Sequence, residues 1–208
     1  MAGLGYGWDK PASATGGLVC LSEPEDQARI TEMRKSGLNI MMSMKDEAKP
    51  VSFVEDCAVE LSDLAEYTDQ LTQIFEKYGT TGTWYAHASV GCLHVRPVLN
   101  MKRGKDVAAM RGIAEEAFAL VKRYGGSHSG EHGDGIARSE FNAIMFGSEM
   151  ARLFTDVKRM FDPENIMNPG KITNAPKMDD RHLFRFAPGY RVDSCLLYTS
   201  PSPRDLRK

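Results

Sequence analysis

The hydrophobic pattern of this chain changes period several times, and each change marks an element. Over residues 61–78, Leu61, Leu64, Ala65, Leu71, Ile74 and Phe75 fall at helical spacing, and Gly79 supplies a stop. Residues 105–124 repeat the pattern through Ala109, Ile113, Ala117, Leu120 and Val121, closed by Gly125-Gly126. An earlier helix is predicted from Glu23-Pro24-Glu25-Asp26, with proline and acids in the first turn, to about Lys35, where Gly37 ends it. Residues 38–44 then read as extended. A strand is expected over 50–59 on Val51, Phe53 and Val54, another over 80–88 on Thr81, Thr83, Trp84 and Tyr85, and a third over 93–99, stopped near Pro97. Two shorter helices fit 139–146 and 148–161, followed by turn chemistry at Asp162-Pro-Glu-Asn and Asn168-Pro-Gly. This succession predicts an α+β fold, an antiparallel sheet with helices packed on one face.

The chemistry-bearing residues lie between these elements. His87 and His94 occur in Tyr85-Ala-His-Ala-Ser-Val-Gly-Cys-Leu-His, and Glu131 and His132 in Ser129-Gly-Glu-His-Gly-Asp-Gly. Two histidines and a carboxylate are a common ligand set for a divalent metal that keeps a position open. A further histidine beside the carboxylate is then free to move a proton. On one flat strand, residues seven apart would point to opposite faces. Gly91, between the histidines, suits a turn or bulge that resets this phase, so His87 is placed at the end of one strand and His94 at the start of the next. For each residue alone a hairpin or loop polar group is the favoured reading; the set with its glycines favours a site.

Charge and cysteines remove several classes. With 26 basic and 28 acidic residues among 208, no basic stripe suggests a nucleic-acid partner. Cys20, Cys57, Cys92 and Cys195 form no Cys-x-x-Cys pair, which excludes a zinc finger and a disulfide framework and fits a reducing compartment. No apolar run is long enough to span a membrane and the start lacks a secretory pattern, so a cytoplasmic protein is expected. Residues 1–17, rich in glycine and alanine, read as a loop or frayed start. From Asp193 the pattern stops, and 193–208 read as a disordered tail resembling translated sequencing-adapter sequence, hence artefactual.

Several stretches together resemble one family. Gly37-Leu-Asn-Ile-Met-Met-Ser-Met, Val54-Glu-Asp-Cys-Ala-Val, Tyr85 to Pro97, Gly130-Glu-His-Gly-Asp-Gly and Phe161-Asp-Pro-Glu-Asn-Ile-Met-Asn-Pro-Gly-Lys are similar, in order and spacing, to the C-terminal cap domain of FAD-linked oxidases and dehydrogenases of D-2-hydroxy acids. That group includes D-lactate, glycolate and D-2-hydroxyglutarate enzymes, and the FAD and iron–sulfur fusion type is the nearest in flavour. The resemblance implies a ferredoxin-like cap over 18–175, with 176–192 a linker. It implies FAD, a divalent metal such as zinc on His87, His94 and Glu131, and His132 as proton acceptor. It also implies Asn168, with Lys171 beside it, near the flavin. An iron–sulfur cluster would belong outside this stretch. The chain departs from the frequent Gly-His-x-Gly-Asp-Gly-Asn-x-His pattern at Ala86 and over Ala88-Ser-Val-Gly-Cys.

The implied reaction is oxidation of a small D-2-hydroxy acid to the 2-oxo acid with hydride transfer to FAD. Arg96 can pair with a substrate carboxylate and Arg34 is a second candidate, a structural ion pair being an equally open reading for both. The flavin-binding part is missing, so the chain reads as a fragment, inactive alone, whose partner is the FAD-binding domain of the full-length protein. Peripheral membrane association of that protein stays open. Two other readings also stand: a non-catalytic interaction module derived from the cap, and a metal-dependent hydrolase, although no His-Glu-x-x-His motif supports the latter.

Overall fold

The computed structural model describes residues 21–185; the expectations for 1–17 and 193–208, and the end of the 176–192 linker, lie outside the described residues. The chain divides into two units, residues 1–46 and residues 47–208. In the first unit, α1 (Pro24–Met42) starts at a proline followed by Glu25 and Asp26, as the sequence suggests. It does not stop at Gly37, and residues 38–42 are helical rather than extended. Gly37 is not among the residues with positive φ. A helical interior glycine costs only about 1 kcal/mol relative to alanine. The helix ends at Ser43, whose backbone N–H and hydroxyl both donate to the Ile40 carbonyl.

The second unit is α+β. Its sheet is built on β4 (Cys92–Leu99), which pairs antiparallel with β1 (Lys49–Pro50), β2 (Cys57–Ala58) and β3 (Gly82–His87). The strand expected over 50–59 is therefore two short pieces. Between them the backbone turns at Asp56, in the left-handed region at φ 61°, while Val51 and Asp56 keep their N–H donors on the Pro97 and Leu93 carbonyls. Pro97 does not end β4: it pairs with Gly82, lacks only its own donor, and the strand continues to Leu99.

Alternation along β4 sends Leu93, Val95 and Leu99 to one face, where they join the core. There they pack with Tyr67, Leu71 and Phe75 of α2 (Leu64–Lys77) and with Ile113, Ala117, Phe118 and Val121 of α3 (Gly104–Arg123). Cys92, His94 and Arg96 point to the opposite face.

After α3 the chain returns to the sheet. Ala58 and Ser127 exchange both backbone hydrogen bonds at 2.9 Å, so the segment after Gly126 is laid beside β2. The helix expected over 139–146 is a 3₁₀ turn (Ser139–Phe141) running into α5 (Asn142–Phe146), preceded by the single turn α4 (Gly135–Arg138). Next, α6 (Ser148–Phe161) fits its expected span but buries none of its residues. No described helix is long and apolar enough to cross a membrane.

Candidate metal centre

The hairpin β3–β4 solves the phase problem between His87 and His94. Residues Ala88–Val90 make one 3₁₀ turn and Gly91 follows at φ 70°. The resulting register pairs His87 with Cys92 and Tyr85 with His94. Cross-strand partners share a face, and Tyr85 and His87 are two apart, so both histidines emerge on the same side. Gly91 is required twice over, by its left-handed backbone and because a Cβ there would lie 1.9 Å from the Val59 carbonyl oxygen.

Glu131 reaches this face on the loop after Ser127. Its Oε1 lies 2.8 Å from His94 Nε2 and 3.6 Å from His87 Nε2. One ligand atom from each of His87, His94 and Glu131 falls within 4.8 Å of the others. Gly130 lets this loop approach: its N–H donates to the Asp56 carbonyl at 2.8 Å, and a Cβ would stand 2.8 Å from that same oxygen.

His94 is the buried member, 3% exposed, against 51% for His87 and 42% for Glu131. Its ring is stacked between Tyr85 (4.8 Å between centroids) and His132 (5.1 Å), with the His87 ring edge-on at 4.9 Å. Burial pulls the His94 pKa below the ordinary histidine value, against the opposing pull of Glu131 and Glu55. The neutral imidazole that results is the form that ligates metals. The donor set therefore fits a divalent ion: two imidazoles and a carboxylate, with the sides of His87 and Glu131 open.

His132 stands beside this set, 46% exposed, with Nε2 3.5 Å from Glu131 Oε1 and Nδ1 3.9 Å from Asp56 Oδ2. A second triplet, Glu55, His94 and His132, also falls within 4.8 Å. It suits a cation less well, because Glu55 Oε1 is already held by the Arg96 guanidinium at 2.7 Å.

The groups that hold these side chains in place are not among the residues singled out from sequence as ligands or base. Asp56 is fully buried. Its Oδ2 accepts the backbone N–H groups of Glu131 (2.9 Å) and His132 (2.6 Å), and Oδ1 is paired with Arg138. Arg138 also donates to the carbonyls of Glu55, His128 and Gly133, tying both loops together. Glu55, 3% exposed, accepts from Arg96, from the Tyr85 hydroxyl at 3.0 Å and from Ser52. Burial alone would raise the Glu55 carboxyl, but Arg96, Ser52 and Tyr85 outweigh it and hold it below the usual value. Two consecutive acids inside the apolar run 51–59 were the available signal, since acids are rarely buried unless paired.

The remaining candidates are placed as follows. Arg96 spends Nη2 on Glu55 and Tyr85, and its side chain is 14% exposed. Arg34 is exposed on α1, in the other unit. Asn168 adopts φ 49° on the turn after α6 and accepts a hydrogen bond from Lys171 Nζ at 2.7 Å. Among the described residues no hydrogen bond joins that pair to the histidines.

Cys57 and Cys92 are free and buried. Burial, joined by the Glu131 carboxylate, pushes the Cys92 thiol up to about 11, and burial pushes Cys57 up to about 12. Both stay protonated at pH 8, and the thiolate is the nucleophile. Neither is expected to react readily with iodoacetamide in the folded chain. Peptide mapping before and after urea denaturation checks this; rapid labelling of either cysteine without denaturant counts against it.

With this geometry in place, the comparison with known proteins is specific. Residues 10–172 match the C-terminal domain of FAD linked oxidases, and the chain belongs to that family. It is 35% identical over 183 residues to D-2-hydroxyglutarate dehydrogenase of Escherichia coli K12, a match covering 88% of this chain and 17% of that relative. D-lactate dehydrogenase of Archaeoglobus fulgidus is 32% identical over 149 residues, covering 71% of this chain and 31% of its own length. The glycolate oxidase subunit GlcD of Bacillus subtilis is 28% identical over 155 residues, covering 74% and 32%. The chain thus spans only a minor part of each relative.

Proposed function

We propose that this chain is the substrate- and metal-binding portion of a flavin-dependent dehydrogenase that oxidises a small D-2-hydroxy acid to the 2-oxo acid. The observation that carries this reading is the convergence of His87, His94 and Glu131 on one face of a domain whose family is FAD-linked. These three residues would hold a divalent ion of the zinc type. When bound, that ion supplies Lewis acidity that makes the substrate 2-hydroxyl easier to deprotonate. His132 receives the hydroxyl proton, acting as the general base beside the three ligands. FAD, when bound, would supply the acceptor for the C2 hydrogen as hydride. The FAD-binding domain of the same protein would carry that cofactor, and Asn168 and Lys171 are the residues of this chain proposed to contact it. An iron–sulfur cluster, where the protein has one, lies in that remaining part too. Arg96 is the candidate for the substrate carboxylate, keeping its Glu55 partner. The buried free thiols Cys57 and Cys92 support a reducing, cytoplasmic setting.

The test separates ligand from base. The purified chain is expected to retain about one equivalent of Zn²⁺ after dialysis, as a single three-ligand site would. Glu131→Ala is expected to lose the ion. His132→Ala is expected to keep it, and in the full-length enzyme to slow the chemical step by about 10²–10⁴-fold. Metal analysis and single-turnover kinetics read the two effects. Loss of metal in His132→Ala with retention in Glu131→Ala would reverse the assignment.

A further inference from the structure

His94 has two ring nitrogens, and only one faces the candidate ion position. Its Nε2 points to Glu131 at 2.8 Å. Its Nδ1 is buried and has no hydrogen-bond partner. The acceptor facing it is Glu55, whose Oε1 lies 3.7 Å away, just beyond hydrogen-bond length. Glu55 is itself fixed from three directions by Arg96, Tyr85 and Ser52, so the carboxylate cannot swing off to water. A neutral imidazole offers a lone pair on one nitrogen only when the proton is on the other. The group opposite the ligating nitrogen therefore decides which face of the ring can bind a metal.

We infer that Glu55 is a positioning residue of the centre: it keeps the His94 proton on Nδ1 and so turns the Nε2 lone pair towards His87 and Glu131. This rests on the metal-binding reading above and adds to it the residue that sets the ring's tautomer and orientation. The surroundings suit the task. Arg96 compensates the carboxylate's charge, which lets an acid remain as an acceptor in a buried place. Tyr85 serves twice, donating its hydroxyl to Glu55 and stacking its ring on His94. A small closure of the Glu55–His94 gap completes that hydrogen bond, because Nε2 already faces its partners.

The experiment uses the 208-residue chain with Co²⁺, followed by its visible absorption, and with Zn²⁺ in competition. Glu55→Ala is expected to weaken binding by about 10–100-fold, the usual effect of removing such a partner. Glu55→Gln, which keeps an acceptor oxygen, is expected to recover most of that loss. A purely structural Glu55–Arg96 ion pair predicts otherwise, with both variants losing stability and neither changing affinity once folded. Circular dichroism selects conditions in which each variant is folded. Should Glu55→Ala fail to fold, ¹⁵N spectra of the Zn²⁺-loaded wild type decide: His94 metallated through Nε2 with a slowly exchanging Nδ1 proton is expected, and metallation through Nδ1 overturns the inference. Wild-type affinity in folded Glu55→Ala overturns it as well. If the wild type binds no ion, the metal reading fails on its own, and the metal-free rings are compared in wild type and Glu55→Ala. A tautomer balance shifted towards Nε2–H in the variant still supports the role of Glu55, and an unchanged balance removes it.

Discussion

Replacing Asp56 by alanine is expected to cost about 3–5 kcal/mol of folding stability, the range for removing one partner of a buried ion pair. The reason lies in what its two oxygens hold. One is paired with Arg138, and the other accepts the Glu131 and His132 N–H groups. In Asp56→Ala the Arg138 guanidinium stays buried without its counter-charge, and the loop carrying both site residues loses its anchor. Urea unfolding measures the loss, and metal titration of the folded fraction measures the loop. A double-mutant cycle with Arg138→Met is expected to be strongly non-additive, since the second change removes the stranded charge. A stability loss below about 1 kcal/mol, the size of an ordinary hydrogen bond, would show that the pair is not the anchor described here.

The second large effect is expected at Gly91. A left-handed backbone imposed on alanine costs on the order of 1–3 kcal/mol by itself. The Cβ would also overlap the Val59 carbonyl at 1.9 Å, and that carbonyl belongs to backbone that cannot simply rotate away. Gly91→Ala should therefore lose more stability than Gly133→Ala, where φ is 81° but nothing lies within 4 Å of an added Cβ. Thermal melts of the two variants give the comparison. Because Gly91 sets the hairpin register, its variant is also expected to weaken metal binding. Equal melting points would mean that the hairpin relaxes around the extra methyl.

These two positions show where the sequence was readable. The helices α2, α3 and α6 repeat an apolar period over many residues, so local pattern alone located them. Gly91 carried its message locally too: a turn between two histidines seven apart resets their faces. Asp56 did not, because its left-handed turn is stabilised by partners 75, 76 and 82 residues away. For the same reason the run 50–59 looked like one strand. Gly37 misled in the other direction, since a glycine ends a helix only where the backbone takes the left-handed turn. For Arg96 a structural ion pair was one of two open readings, and the structure supplies it; that the partner is the buried Glu55 depends on β4 passing beside the 53–56 turn.

The uneven burial of the three candidate ligands has a thermodynamic consequence. His94 is wedged between two rings and has almost no rotamer freedom to lose when an ion arrives. His87 and Glu131, each about half exposed, must be immobilised at that moment. For an ion bound there, the site would be preorganised at its base and unfinished at its rim, so ordering two surface side chains would lower its affinity. Anything that orders that rim in advance would tighten such an ion without touching it.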